Sequence, residues 1–147
     1  MTDDYNVAIM GATGAVGQVM MEILAERDFP LGELRLLASA RSVGRELEYD
    51  GKKIAVRELA ENSFAGIDIV LASAGGSLSK QFNPHAVAAG AVVIDNTSAY
   101  RLDPQVPLVV PEMNLGDLDA HRGIIANPNC STIIMDVVVW PLYQRQR

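Results

Sequence analysis

Residues 5–20, YNVAIMGATGAVGQVM, decide the fold of this 147-residue chain. The mostly apolar run Tyr5–Met10 predicts a short buried strand that ends at Gly11. A helical pattern begins at Gly14. Counted from Val16, apolar side chains recur at positions i+4, i+7 and i+8 (Met20, Ile23 and Leu24), which is one face of a helix. A strand, a glycine-rich turn and a helix therefore follow one another directly.

The rest of the chain repeats this alternation of strands and helices. Further strands are predicted from short apolar runs: Leu34–Ala38, Ile67–Ala74, Ala91–Asp95, and two shorter ones at 108–110 and 123–126. Asp50-Gly51 predicts a small hairpin, one helix should end near Ala89, and another follows Cys130. Continuous rather than alternating apolar strands are typical of a parallel sheet covered on both faces. We therefore predict an α/β, Rossmann-like, doubly wound domain over 1–147, with its ligand at the carboxyl ends of the strands.

Composition narrows the class of protein. With 49% hydrophobic residues, 20% charged residues and a net charge of −6, the chain has no dense Lys/Arg cluster, which argues against nucleic-acid binding. No apolar run approaches the ~18 residues of a membrane span, so no membrane association is expected. A single cysteine and an N-terminus without a signal-peptide pattern predict a cytoplasmic protein.

Three glycines between the first strand and the first helix suggest a phosphate-binding turn. Gly11 permits a tight turn, Gly14 lets a phosphate approach the backbone, and Gly17 lets the helix pack closely. The helix N-terminus would offer free N–H groups to an anion. The spacing departs from the commoner G-x-G-x-x-G, and a tight turn without a ligand is the alternative. Because a strand precedes the turn and a helix follows it, we favour dinucleotide binding.

The residues after the second strand indicate which dinucleotide binds. A site for NAD usually carries Asp or Glu there, to hold the ribose 2′-hydroxyl. This chain has Ser39, Arg41 and Ser42 instead. A guanidinium pairs with a 2′-phosphate that a carboxylate would repel, and serine hydroxyls can add hydrogen bonds. The sequence therefore favours NADP over NAD.

Cys130 stands at the predicted N-terminus of the last helix, in the polar turn NPNCST. The helix dipole and the free N–H groups favour a thiolate there, which is the nucleophilic form. The amide of Asn129 could donate to an oxyanion formed when that thiolate attacks a carbonyl. A buried structural cysteine is the alternative. A nucleophilic cysteine near a nicotinamide suits the interconversion of an aldehyde and an acyl phosphate through a thioester.

Five motifs in order, GATGAVG, SARS, DNTSAYR, VVPEMN and NPNCST, resemble those of the aspartate-semialdehyde dehydrogenases. The resemblance implies reduction of β-aspartyl phosphate to aspartate β-semialdehyde, on the route to lysine, threonine and methionine. It also implies cofactor and catalytic roles for these residues: NADP binding by Thr13, Gly14, Ala15, Val16, Arg41 and Ser42, an acyl-enzyme on Cys130, and phosphate binding by Arg101. Inorganic phosphate would be released as the second product.

Other polar residues at predicted strand ends are weaker candidates. Asn96 and Ser98 could line the substrate pocket and Gly75 the cofactor pocket, although ordinary turn chemistry explains all three. His85 and His121 have no cysteine or carboxylate at metal-ligand spacing, so both are interpreted as structural and no metal is expected.

Members of the resembled family are more than twice as long as this chain. The resemblance therefore implies that a second domain, absent here, supplies substrate-binding residues and a proton-accepting histidine, in an enzyme that is a homo-oligomer. The segment after Cys130 is apolar nearly all round, which predicts burial on more than one side. Pro141 should kink or end that helix.

Two other functions stay open. N-acetyl-γ-glutamyl-phosphate reductases share the glycine turn and the cysteine chemistry, although their cysteine turn usually reads Asn-Pro-Gly-Cys. A non-catalytic NADP-binding module is the alternative from another class.

Overall fold

The computed structural model describes residues 4–146, so Met1 to Asp3 and Arg147 of the predicted domain lie outside it. Its strands are β1 (Tyr5–Met10), β2 (Leu31–Ala38), β3 (Glu46–Tyr49), β4 (Lys52–Ala55), β5 (Arg57–Glu58), β6 (Ile69–Ala72), β7 (Val92–Asp95) and β8 (Ile124–Ala126). Its helices are α1 (Ala15–Glu26), α2 (Gly76–Ala88), α3 (Pro111–Asn114) and α4 (Cys130–Arg145).

Six strands form one parallel sheet in the order β5-β2-β1-β6-β7-β8. The chain builds outward from β1 in one direction through β2 and β5, and in the other through β6, β7 and β8. The direction reverses between β1 and β6, which is where open α/β sheets form their ligand crevice. The predicted Rossmann-like, doubly wound fold is confirmed.

Burial on both faces explains why the strands are continuously apolar. In β1, Ala8 and Met10 face a core cluster that includes Phe82 of α2, while Val7 and Ile9 face a second cluster. That second cluster contains Met21 of α1 and also takes in side chains of the β3-β4 hairpin. All four of these β1 side chains are at most 1% exposed. Burying the apolar side chains of both clusters away from water gives the sheet most of its hydrophobic stabilisation.

Several predicted elements differ from the structure. The strand expected at 108–110 is a single bridge between Leu108 and Ala126, followed by α3 and a 3-10 turn that the apolar pattern did not indicate. The residues after the hairpin form β5, which joins the edge of the main sheet beside β2. Because β5 has two residues and its place depends on a distant partner strand, no local periodicity could reveal it.

None of the residues of helix α4 is buried, as is also true of the short helix α3, so the burial predicted for the apolar surface of α4 is not found among the described residues. Of the two expectations for Pro141, the end of the helix is wrong, since the helix continues to Arg145, and the kink stays a prediction. A proline removes a single N–H donor, and helical hydrogen bonding can resume on either side of it. Within residues 4–146, none of the helices combines the length and the hydrophobicity that crossing a bilayer requires.

Candidate active site

The loops that follow β1, β6 and β7 touch one another at the carboxyl edge of the sheet. A Cβ atom on Gly11 would lie 2.9 Å from the carbonyl oxygen of Ser73, so the β1 and β6 loops are in backbone contact. A Cβ atom on Gly76 would lie 3.9 Å from Oγ of Ser98, which brings the β7 loop alongside. The glycine turn and the predicted residues Gly75, Asn96 and Ser98 therefore meet at one edge.

The three glycines of the first turn meet different constraints. Gly11 has φ +95°, a conformation that side chains rarely adopt. Gly17 is buried, and a Cβ there would lie 2.5 Å from the carbonyl oxygen of Gly11. Gly14 is exposed, and a Cβ there would meet only that same oxygen, at 3.3 Å. Gly11 and Gly17 are thus required by the fold, whereas Gly14 leaves open space above the turn.

The N-terminus of α1 presents donors to that open space. Gly14 precedes the helix with extended backbone and provides no capping side chain. Among the described residues, the N–H groups of Ala15, Val16 and Gly17 have no hydrogen-bond acceptor. Three free N–H groups at the positive end of a 12-residue helix suit a phosphate group. The turn therefore fits the pyrophosphate of a dinucleotide.

The predicted 2′-phosphate residues lie just past the end of β2. Ala40–Ser42 form a 3-10 turn in which Ser42 N–H donates to the carbonyl of Ser39 at 2.8 Å. Arg41 is exposed and makes no ion pair with any described carboxylate. Its guanidinium is consequently available to an external anion beside the second strand.

Helix α2 begins at the same edge in a similar way. Gly75 has φ +102° and immediately precedes the helix. Because glycine has no side chain, it does not cap the first N–H groups of α2. No heavy atom would lie within 4 Å of a Cβ on Gly75, apart from the chain around it. The positive φ, rather than close packing, therefore favours glycine here.

Cys130 is exposed and is the first residue of α4. Asn129 precedes the helix, and its Oδ1 accepts a hydrogen bond from Ser131 N–H at 3.0 Å. This cap uses the oxygen of the amide, and among the described residues Nδ2 of Asn129 has no acceptor. The amide hydrogens therefore remain available beside the thiol, as an oxyanion donor requires.

Arg101 connects the β7 loop to the cysteine turn. Its Nε donates to the carbonyl oxygen of Asn127 at 2.9 Å, and its Nη2 donates to the carbonyl oxygen of Asn96 at 3.0 Å. Nη1 has no partner among the described residues. Arg101 is half-buried, so its guanidinium is fixed along one edge and open along another.

A buried polar cluster beneath this loop was not predicted. Asp95, fully buried, accepts hydrogen bonds from Asn83 Nδ2 at 2.8 Å and from Thr97 N–H at 2.6 Å. Thr97 in turn donates from Oγ1 to Ser79 Oγ at 3.2 Å. Burial raises the pKa of Tyr100, which donates to the carbonyl of Ser79, and the charge of Asp95 adds to that shift.

One signal in the sequence could have revealed this cluster. Ser79 and Asn83 are four residues apart on α2, on the same buried face as Phe82 and Ala86. Polar side chains on the apolar face of a helix require hydrogen-bond partners, and here the partner is the end of β7.

The histidines and one tyrosine–lysine pair lie apart from this edge. His121 Nδ1 accepts from Gly123 N–H, and His85 Nε2 lies 3.8 Å from Glu61 Oε1. Tyr49 and Lys53 have the four-residue spacing that short-chain reductases use, but they occupy opposite strands of the β3-β4 hairpin rather than one helix face. Within residues 4–146, no three His, Cys, Asp or Glu side chains cluster in a way that could hold a metal.

Comparison with known proteins identifies relatives. Residues 6–121 match the family described as semialdehyde dehydrogenase, NAD binding domain. The aspartate-semialdehyde dehydrogenase of Synechocystis is 54% identical over 146 residues, which cover 99% of this chain and 43% of that protein. The chain thus spans less than half the length of such curated relatives.

Solved structures agree with the fold. Aspartate semialdehyde dehydrogenase II of Vibrio cholerae, complexed with ASA, is 51% identical with a TM-score of 0.93, covering 97% of this chain and 47% of that one. The Candida albicans enzyme with NADP is 28% identical with a TM-score of 0.80, covering 95% and 47%. The match over residues 6–121 establishes that this chain belongs to the semialdehyde dehydrogenase family and carries its NAD-binding domain.

Proposed function

We propose that the chain is the cofactor-binding part of an NADP-dependent aspartate-semialdehyde dehydrogenase. The observation that carries this proposal is the exposed Cys130 at the N-terminus of α4, in a turn that Arg101 joins to the β7 loop beside the glycine turn. Relatives more than 50% identical over almost the whole chain carry that enzyme's name.

Each candidate residue then has a chemical role. The thiolate of Cys130 attacks the β-carbonyl carbon of β-aspartyl phosphate, the carbon–oxygen bond to phosphate breaks, and a thioester and inorganic phosphate result. Asn129 Nδ2 donates to the oxyanion formed during the attack, and the open edge of Arg101 binds the phosphate. NADPH, when bound, supplies the hydride that reduces the thioester to the aldehyde. Asn96 and Ser98 line the pocket beside Arg101.

The cofactor proposal uses residues that the structure leaves available. Gly11, Thr13, Gly14, Ala15, Val16 and Gly17 form the turn over which a pyrophosphate would lie, and Gly75 starts the neighbouring helix. Ser39, Arg41 and Ser42 would hold the 2′-phosphate, which is the group that distinguishes NADP from NAD. The NADP in the Candida albicans structure supports this choice.

Further parts of the enzyme complete the proposal. Because the curated relatives are more than twice as long, we assign substrate contacts and a proton-accepting histidine to a second domain, in a homo-oligomeric enzyme. A thiol that must stay reduced for catalysis suits the cytoplasm.

Acylation of Cys130 tests the function directly, because the first half-reaction needs no hydride. The full-length protein, which under this proposal includes the second domain, is mixed with fresh β-aspartyl phosphate, and the expected result is an aspartyl adduct on Cys130, detected by peptide mass spectrometry and removed by hydroxylamine. The Cys130→Ser variant should form no such thioester. N-acetyl-γ-glutamyl phosphate should react more slowly, and faster reaction would favour the reductase alternative. Intact NADPH binding with no adduct would favour a non-catalytic module.

A further inference from the structure

Asn127 joins three strand ends of the sheet near the cysteine turn. Its N–H donates to the carbonyl oxygen of Asp95 at 2.8 Å, and its side-chain Nδ2 donates to Oδ1 of Asn96 at 2.7 Å. Its own carbonyl oxygen accepts from Arg101 Nε at 2.9 Å. Asn96 N–H, in turn, donates to the carbonyl of Ala72 at the end of β6. Asn127, which follows β8, therefore bonds directly to the end of β7 and is linked to the end of β6 through Asn96.

The link passes from Asn127 to Cys130 through a stiff segment. Pro128 is buried, its ring fixes its own φ, and it restricts the residue before it to extended backbone. Asn129 is extended as well, and its side chain caps α4. Only two residues therefore separate the carbonyl that holds Arg101 from the residue that carries the thiol.

We propose that Asn127 is a positioning residue that fixes the Arg101 guanidinium relative to the Cys130 thiol. This inference rests on the proposed function, in which Arg101 binds the phosphate of the substrate that Cys130 attacks. An acyl phosphate fixes the spacing between its phosphorus and its carbonyl carbon, so a cation held at a set distance from the nucleophile orients the reacting carbon. The amide of Asn127 suits this role because it donates to Asn96, whose carbonyl holds the second arm of Arg101.

Two alkylating reagents report this spacing without the substrate. Iodoacetate is anionic and iodoacetamide is neutral, and both react with the same thiolate of Cys130. The ratio of their rate constants therefore cancels changes in thiol exposure and ionisation. It retains the attraction between the reagent's carboxylate and a nearby cation. A structural disturbance that merely exposes Cys130 changes both rates and leaves the ratio unchanged.

Arg101→Ala should lower the ratio by about tenfold, as expected for a unit charge close to the thiol at a protein surface. Asn127→Ala should lower it by about threefold or more, although Arg101 is still present. Asn62→Ala is the matched control, because Asn62 is exposed and its side chain makes no hydrogen bond among the described residues. That control should leave the ratio unchanged.

A second variant keeps the test valid if Asn127→Ala does not fold. Asn96→Ala removes the same side-chain hydrogen bond by deleting its acceptor. The double variant Asn127→Ala, Asn96→Ala should lower the ratio of rate constants no further than either single variant does. An unchanged ratio in Asn127→Ala and Asn96→Ala, with a reduced ratio in Arg101→Ala, overturns the positioning role and leaves the proposed function standing. An unchanged ratio in Arg101→Ala overturns both the positioning role and the anion site.

Discussion

The backbone of Gly17 packs against the carbonyl oxygen of Gly11, with only 2.5 Å between that oxygen and the place where a Cβ on Gly17 would lie. The next nearest atoms are also backbone, at Ala12, and cannot turn aside as a flexible side chain would. The glycine turn therefore sets how closely α1 can approach β1, before any ligand is considered.

Gly17→Ala should destabilise the fold by about 3 kcal/mol, the upper part of the range for overpacking, because the clash is with backbone. Urea unfolding followed by circular dichroism measures this change. Gly116→Ala is the control, since a Cβ there would meet nothing within 4 Å and its φ is not positive. Equal stability of the two variants would contradict the close packing of α1 on the turn.

Arg41→Ala should weaken NADPH binding by about tenfold to a hundredfold and leave NADH binding nearly unchanged. The physical reason is the loss of charge-assisted hydrogen bonds to the 2′-phosphate, which NADH lacks. Isothermal titration of both cofactors measures the effect, with Arg27→Ala as a control at the opposite end of α1. Equal losses for the two cofactors would remove the 2′-phosphate assignment.

Asn129 offers a way to separate capping from catalysis. Asn129→Asp keeps an oxygen that accepts from Ser131 N–H, so the stability of the chain should hold. Asn129→Ala loses that cap and should cost about 1 kcal/mol in thermal or urea unfolding. Both variants lose the free amide donor, so both should slow acylation of Cys130 by β-aspartyl phosphate. Normal acylation in either variant would refute the oxyanion role.

Glu33 should make stability depend on pH in acid. Hydrogen bonds from Arg35 hold the pKa of Glu33 below its ordinary value of 4.5, against the opposing effect of burial, and the charges of Arg35 and Arg57 add to the lowering. A depressed folded-state pKa means that the stabilisation is complete above the unfolded-state value. It is lost as the pH falls through the folded-state value.

Glu33→Gln should therefore reduce the loss of stability on acidification below about pH 4.5, by less than about 1 kcal/mol because solvent screens the pair. Urea midpoints measured at neutral and acid pH give the difference. Glu22→Gln, an exposed carboxylate with no ion pair among the described residues, is the control. An identical acid response in the wild-type chain and Glu33→Gln would disprove the coupling.

Helix α4 should cause the 147-residue chain to self-associate. Ile134, Val138 and Leu142, spaced four apart, are 70%, 66% and 60% exposed and form one apolar stripe. The double variant Ile134→Glu, Val138→Glu should shift sedimentation velocity profiles toward the monomer. Leu102→Glu, at an isolated residue that is 98% exposed, should not. A wild-type chain that stays monomeric at all concentrations would contradict this expectation.

The sequence by itself determined that the sheet is parallel and covered on both faces, and that the glycine turn lies at its carboxyl edge. Continuous apolar strands such as β1 can only be buried on both faces, and a glycine-rich turn between a strand and a helix has few conformations available. These are local properties with a short period, so Tyr5–Met10, the turn from Gly11 and the helix that begins at Ala15 follow from adjacent residues.

Only the tertiary structure decided which polar groups meet. Asp95 pairs with Asn83, twelve residues away, and Arg101 contacts Asn127, 26 residues away. Pairings of this kind depend on how strands far apart in the chain bring their end loops together, and no repeating pattern encodes them. A hydrogen bond between distant loops exists only once the sheet has placed those loops side by side. The role of Asn127 could therefore be inferred only from the folded chain.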